Sequence, residues 1–104
     1  MAIPVEVRAG DRRVFRLSRE IGPLGLRLEK TTPFEPGRPV ILRFVLPGDP
    51  TERQTRAKIE EIDLADGESG AAGLAFTELP PNTRDAIVRY VTSRLGLETI
   101  EPAP

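Results

Sequence analysis

The sequence alternates apolar and polar residues with a period of two in several short runs, and this alternation constrains the fold more than any other feature. The runs IPVEVR (3–8) and LGLRLE (24–29) each place an apolar side chain at every second position. Such alternation is typical of strands that bury one face. The nine glycines and eleven prolines suit many short strands joined by turns and argue against a helical bundle.

Three further runs extend this pattern. In RVFRLSRE (13–20), Phe15 and Leu17 share one face, which we interpret as the core-facing side, while Arg16 and Ser18 share the other. The runs PVILRFVLP (39–47) and AAGLAFTEL (71–79) are more apolar and predict two more strands. The segment TTPFEPG (31–37) is rich in proline, which is excluded from central strands, and is predicted to be a loop.

The run RQTRAKIEEIDLAD (53–66) is ambiguous between strand and helix. Ala57 and Ile59 are out of phase with Ile62 and Leu64, so a strand here requires a β-bulge between the two pairs. The surrounding β-pattern favours a long strand with a bulge, although a helix is an alternative.

The C-terminal region predicts one amphipathic helix over residues 81–95. Its apolar stripe recurs every four residues at Ile87, Val91 and Leu95. Asn82 is the predicted N-cap, and Gly96 is placed to end the helix. We therefore expect an all-β fold with one C-terminal helix: a six-stranded antiparallel barrel, with the helix plugging one open end or covering an edge. This domain spans residues 1–97, and residues 98–104 form a flexible tail.

The composition excludes several classes of function. The chain has no cysteine and no histidine, which removes disulfides, thiolate metal sites and the commonest general base. The only acidic cluster, at Glu60, Glu61 and Asp63, reads as a solvated strand face. We therefore predict no catalytic residues, no metal and no enzyme activity.

Charge and hydropathy limit the partners and the location. The net charge of −1 gives no overall attraction for nucleic acid or anionic membranes. Binding of single-stranded nucleic acid would need exposed aromatic side chains, but at least three of the five aromatic residues sit at predicted core positions, Phe34 being the exception. No apolar run approaches the roughly 18 residues of a membrane span, and the start lacks the apolar stretch of a signal peptide. We expect a cytoplasmic protein that binds neither DNA, RNA nor membrane.

Three strings of the chain, in their order and spacing, resemble the PilZ family, bacterial domains known for binding cyclic di-GMP. They are REIGPLGLRL (19–28), PVILRFVLPGD (39–49) and AAGLAFTELPPNTRDAIVRYV (71–91). The resemblance covers residues 3 to about 96 and implies a barrel followed by a helix. It also implies a non-catalytic regulatory role, with cyclic di-GMP as the ligand and no other cofactor.

The resemblance points to two ligand motifs, and the sequence departs from both. In the family's (D/N)xSxxG turn, Glu20 takes the acidic position, Gly22 the serine position and Gly25 the glycine position. The family's RxxxR motif precedes the first strand, where this sequence has only Met1 and Ala2. An RxxxR string does occur from Arg12 to Arg16, in the second predicted strand, where the two arginines share a strand face. They either hold an anion together or, with Arg13, form the solvated face of an edge strand.

Two functions follow from the resemblance. We favour a regulatory adaptor that acts through protein contacts, with cyclic di-GMP binding weak or lost. Its partner would belong to a bacterial signalling, motility or polarity system, and the domain would be a monomer or a homodimer. The contact candidates are an arginine-rich strand face and the Pro-rich loop, namely Arg8, Arg12, Arg16, Arg27 and Phe34. The alternative is a genuine cyclic di-GMP receptor that uses Arg12, Arg16 and Glu20.

Overall fold

The computed structural model describes residues 2–63 and 70–95, with six strands and one helix. In chain order the elements are β1 (Ile3–Ala9), β2 (Arg12–Gly22), β3 (Gly25–Leu28), β4 (Pro39–Val45), β5 (Glu52–Asp63), β6 (Ala71–Glu78) and α1 (Pro81–Leu95). The predicted Leu64, the helix-ending Gly96 and the tail 98–104 lie outside the described residues.

The six strands form a closed antiparallel barrel in the order β1-β2-β3-β6-β5-β4, and β4 closes on β1. The predicted fold class is therefore confirmed. The ambiguous fifth element is a strand, and its register against β6 shifts between Ile59 and Glu61, which is the bulge that the phase change predicted. Because the barrel is closed, no strand of it is an edge strand, which removes the edge-strand interpretation of Arg12, Arg13 and Arg16.

The barrel interior is filled by alternating aliphatic side chains. On β1, Ile3, Val5 and Val7 are at most 1% exposed, as the IPVEVR pattern predicted. The other strands contribute the same kind of residue: Leu26, Leu28, Val40, Leu42, Phe44, Ala57, Ile59, Ala72 and Leu74. Each strand thus buries one face and exposes the other to solvent.

The predicted orientation of β2 is wrong. Ser18 pairs with Ile3 and Arg16 pairs with Val5, so both lie on the inward face of the sheet, and Ser18 is fully buried. Phe15 and Leu17 point outward and are 64% and 44% exposed. The reason is that cross-strand partners share a face, so β1, with its apolar inward residues, decides which side of β2 is buried.

Two different segments cover the two ends of the barrel. At one end the loop between β3 and β4 buries Phe34, which is 5% exposed, and the backbone amide of Phe34 donates to the Thr32 hydroxyl at 3.2 Å. At the other end α1 packs against β2 and β5 and buries Ile87 completely. Burying one apolar side chain at each end closes a core that the sheet alone leaves open.

Helix α1 begins at Pro81, the first residue of the predicted range, but its N-cap is not the predicted Asn82. The carbonyl of Pro80 accepts the first helical hydrogen bond, from the amide of Arg84 at 2.9 Å, so Asn82 lies inside the first turn and is not the N-cap. Proline suits the first helical position because its φ is already fixed and its missing N–H has no helical partner there. The helix ends at Leu95, as expected.

The β2–β3 pairing also has a register shift, between Ser18 and Glu20, and Ser18 stabilises it. Its hydroxyl lies 2.9 Å from the carbonyl oxygen of Glu20 and 2.8 Å from that of Arg27, so it bridges the two strands where the ladder is interrupted. Ser18→Ala should lower the free energy of unfolding by about 1–2 kcal/mol, because the part-buried carbonyls of Glu20 and Arg27 then lose the one hydroxyl donor between them. Urea denaturation measures the free energy of unfolding. The control is Ser93→Ala, at an exposed position, which should not lower that free energy. Equal losses for the two variants would contradict the role given to Ser18.

Candidate functional site

A groove of about 640 Å³ lies between the β2–β3 turn, β6 and the second half of α1. Its volume falls in the range of small-molecule sites, about 300–1,000 Å³. The groove is lined by Arg19, Glu20, Ile21, Gly22, Leu24, Gly25, Leu26, Arg27, Glu61, Gly73, Leu74, Tyr90, Val91 and Arg94. The three residues predicted from the (D/N)xSxxG turn, Glu20, Gly22 and Gly25, are thus brought together on one wall.

The turn that carries these residues is fixed by close packing at Gly25. A Cβ on Gly25 would lie 2.0 Å from the carbonyl oxygen of Leu74, so any side chain would collide with the backbone of β6. At Gly22, by contrast, nothing lies within 4 Å of an added Cβ. Position 22 could therefore accept a side chain without a clash, whereas the fold requires glycine at position 25.

Charged side chains of both signs surround the groove. Arg27 on β3 pairs with Glu61 on β5 at 3.2 Å, and Arg19 pairs with Glu29. On the helix, the Arg94 guanidinium donates to the Tyr90 hydroxyl at 2.8 Å and lies 5.8 Å from the centroid of its ring. Three guanidinium groups thus border the groove, accompanied by the carboxylates of Glu20 and Glu61.

An apolar edge lies beside these charges. Leu24, at the tip of the β2–β3 turn, is 86% exposed, and Ile21 and Val91 are half-buried next to it. A base or another flat apolar group would find contact area here. The arrangement provides charged and apolar binding surfaces for an amphipathic ligand.

Arg12 and Arg16 do not line this groove. Arg16 donates through Nε to the carbonyl oxygen of Thr31 at 2.8 Å, and the Arg12 guanidinium lies 6.0 Å from the centroid of the Phe34 ring. Both arginines therefore contact the loop between β3 and β4, at the opposite end of the barrel. Glu20 is four positions along β2 from Arg16 and eight from Arg12, which correspond to about 13 and 26 Å of extended strand.

The predicted partner-contact residues do not share one face. Arg8 pairs with Arg13 on the outward side of the barrel, whereas Arg12 and Arg16 occupy the inward phase of β2. Arg27 lies in the groove. Phe34 is buried, so the expectation of an exposed aromatic in the Pro-rich loop is wrong: the ring fills the barrel end instead of facing solvent.

Sequence reasoning missed Arg19, Tyr90 and Arg94 as groove residues. Arg19 directly precedes Glu20, so its proximity to the turn was available from the sequence. Tyr90 and Arg94 are four residues apart on α1 and therefore share a helix face, but no sequence signal indicates which strands that face meets. Among residues 2–63 and 70–95, no group of three potential ligand side chains is placed to hold a metal ion.

The family comparison gives a direct match. The model of the PilZ domain matches residues 1–93. A search of curated proteins found no significant match.

Two solved structures have the same fold. The Bacillus subtilis inhibitor of motility MotI/DgrA superposes with a TM-score of 0.77 at 20% identity, over 93% of this chain and 48% of that one, so the chain spans about half the length of MotI. The PilZ domain of CeSA from a cellulose-synthesizing bacterium gives a TM-score of 0.66 at 24% identity, over 94% of each chain. At these identities the likeness concerns the fold.

Proposed function

Because the chain belongs to the PilZ domain family, we propose that it is a non-catalytic regulatory adaptor that acts in the cytoplasm through protein–protein contacts, with cyclic di-GMP binding weak or lost. PilZ domains in general bind cyclic di-GMP and regulate other proteins. The barrel, the C-terminal helix and the groove support a role of this general kind. The ligand contacts within the groove are changed.

The observation that carries the proposal is the separation of Arg12 and Arg16 from the groove that contains Glu20. A phosphate clamp requires guanidinium groups close to the groups that hold the base, and here β2 places them at the other end of the barrel. Arg16 is also engaged by the carbonyl of Thr31. The RxxxR string therefore supports the loop between β3 and β4, and the arginines that border the groove are Arg19, Arg27 and Arg94 instead.

The change at Gly22 acts in the same direction. A glycine at the serine position supplies no hydroxyl to a guanine edge, and an unpaired polar group on a bound ligand costs about 1–3 kcal/mol, or roughly 5- to 140-fold in Kd. Glu20 retains an acceptor but needs one extra methylene to be positioned. Both departures lower the affinity expected for the nucleotide.

The comparison with MotI supports motility as the process that this chain regulates. MotI is named an inhibitor of motility, and its fold is shared over nearly all of this chain. We propose a partner in a bacterial motility or signalling assembly.

The first test is calorimetric titration of the chain with cyclic di-GMP. We expect no measurable heat up to high micromolar nucleotide, because Arg12 and Arg16 do not line the groove and Gly22 supplies no hydroxyl there. Tight binding would contradict the proposal. If that binding were then abolished in Arg12→Ala or Arg16→Ala variants that retain their circular dichroism spectrum, the domain would be a receptor that uses the RxxxR string.

A further inference from the structure

An exposed apolar cluster lies on the outward side of β1, β2 and β4, away from the groove. Phe15, Leu17 and Val45 are 64%, 44% and 45% exposed, and Pro4 is exposed beside them. The register places Pro4 directly opposite Leu17, on the face that Phe15 shares. Large apolar side chains that cluster on a monomer's surface mark interaction sites more often than single ones do.

This cluster is concave. A cavity of about 350 Å³ is lined by Pro4, Phe15 and Leu17, with Arg16, Glu29 and Lys30 at its margin. Its apolar floor and charged margin are the layout of a protein interface, in which an apolar centre is surrounded by a polar rim. The cavity has room for one or two apolar side chains of a partner.

The charge around the cluster is predominantly positive, although the whole chain carries −1. Outward positions of β1, β2, β4 and β5 hold more basic than acidic side chains: Arg8, Arg13, Arg43, Arg56 and Lys58 against Glu6, Glu52 and Glu60, with ion pairs joining Arg43 to Glu52 and Lys58 to Glu60. The Glu6 side chain is only 11% exposed, beneath Arg13 at 3.8 Å and Arg43 at 3.9 Å. We call this combination of Phe15, Leu17, Pro4, Val45 and the surrounding cations the basic-apolar face.

Arg13 and Phe15 form the centre of the basic-apolar face. The Arg13 guanidinium lies 6.0 Å from the centroid of the Phe15 ring and is 65% exposed. Arginine and aromatic side chains are the residue types enriched at interfaces, and a planar guanidinium matches a carboxylate in two parallel hydrogen bonds. A partner therefore gains most if it presents carboxylates around an apolar side chain.

We propose that the basic-apolar face docks an acidic segment of a partner protein, which places an apolar side chain against Phe15 and carboxylates against the surrounding arginines. This proposal rests on the adaptor function and specifies its surface and the chemistry of its partner. A second copy docked through the same face would bring like charges together, which disfavours it. Arg13 and Arg43 already pair with Glu6, which offsets part of their charge, so a partner's carboxylate would add to these pairs at the Arg13 side chain, which is 65% exposed.

The test is an NMR titration of ¹⁵N-labelled chain with a synthetic amphipathic peptide of leucine and glutamate, compared with a counterpart in which lysine replaces glutamate. We expect amide shifts confined to β1, β2 and β4 with the acidic peptide alone. Phe15→Ala and Arg13→Ala should each weaken binding by about 10-fold or more. Val88→Ala shortens a 38%-exposed apolar side chain of α1 that lines neither the groove nor this cavity, and it should leave binding unchanged.

Three results would overturn this inference: no shift with the acidic peptide, equal shifts with the lysine peptide, or shifts on this face only with vesicles of phosphatidylglycerol. The same labelled samples titrated with cyclic di-GMP test the adaptor function separately. Nucleotide binding in the groove would overturn the proposed adaptor function. If neither the nucleotide nor the acidic peptide binds, only the choice of the basic-apolar face is overturned.

Discussion

Phe34→Ala is expected to lower the free energy of unfolding by about 3 kcal/mol or more, because it deletes a buried aromatic that closes one end of the barrel. The ring is 5% exposed, and the loop that carries it is tied to the barrel at two points. The Gly37 amide donates to the carbonyl of Ile59 at 2.6 Å, and the Ile59 amide donates to the carbonyl of Arg38 at 3.1 Å. This loop cannot collapse into the space that the ring vacates, so the cavity cost remains. Urea denaturation followed by circular dichroism measures the loss.

Phe15→Ala is the matched control, since it removes the same side chain from a site that is 64% exposed. We expect a change of less than about 1 kcal/mol, as for surface substitutions in general. Equal losses for the two variants, or a larger loss for Phe15→Ala, would show that β2 has the opposite face turned inward. The pair therefore tests the strand orientation as well as the role of the loop.

Gly25→Ala is expected to destabilise the barrel by about 3 kcal/mol, or to prevent folding, because the new Cβ would lie 2.0 Å from the Leu74 carbonyl oxygen. That oxygen belongs to the backbone of β6, so the clash cannot be relieved by rotating a side chain. The β3–β6 ladder, in which Gly25 pairs with Ala75, must shift instead. Thermal unfolding and urea denaturation should both report the loss.

The control is Gly22→Ala, three residues earlier in the same turn. Nothing lies within 4 Å of its added Cβ, and its backbone φ is not in the left-handed region. We expect a change below about 1 kcal/mol, in the stabilising direction if the strand conformation is favoured by the loss of glycine. A large loss in Gly22→Ala, with Gly25→Ala tolerated, would contradict the packing described for this turn.

Much of the fold follows from period-two alternation. In β1, β3 and β4 the apolar side chains form a clear stripe, so the buried face could be predicted directly, except that Leu24, in phase with Leu26 and Leu28, lies in the turn before β3 and is 86% exposed. In β5 the phase change between Ile59 and Ile62 indicated the bulge. These predictions succeed because in these strands the alternation of apolar and polar side chains directly marks the buried face.

Strand β2 shows where that reasoning fails. Both of its faces carry long side chains, and its apolar residues Phe15 and Leu17 are on the outside. The inward side holds Arg16 and Ser18, whose polar groups are satisfied by carbonyls of Thr31, Glu20 and Arg27. Those partners come from distant segments, so only the tertiary structure reveals that the polar face is the buried one.

The candidate site was predictable in part. The (D/N)xSxxG pattern located Glu20, Gly22 and Gly25, because residues of one tight turn stay together whatever the fold. The contribution of Tyr90 and Arg94 depends on where α1 crosses the barrel, and the distance of Arg12 and Arg16 from the groove depends on the direction of β2. Residues from separate elements cannot be assigned to one site from spacing alone.

The most direct test of this account is a crystal structure of the chain grown with excess cyclic di-GMP. We predict that Arg16 still donates to the Thr31 carbonyl, that Arg12 still lies over the Phe34 ring, and that no nucleotide occupies the groove beside Glu20. Phosphates of the nucleotide held by the guanidinium groups of Arg12 and Arg16, with a guanine at Glu20, would contradict it.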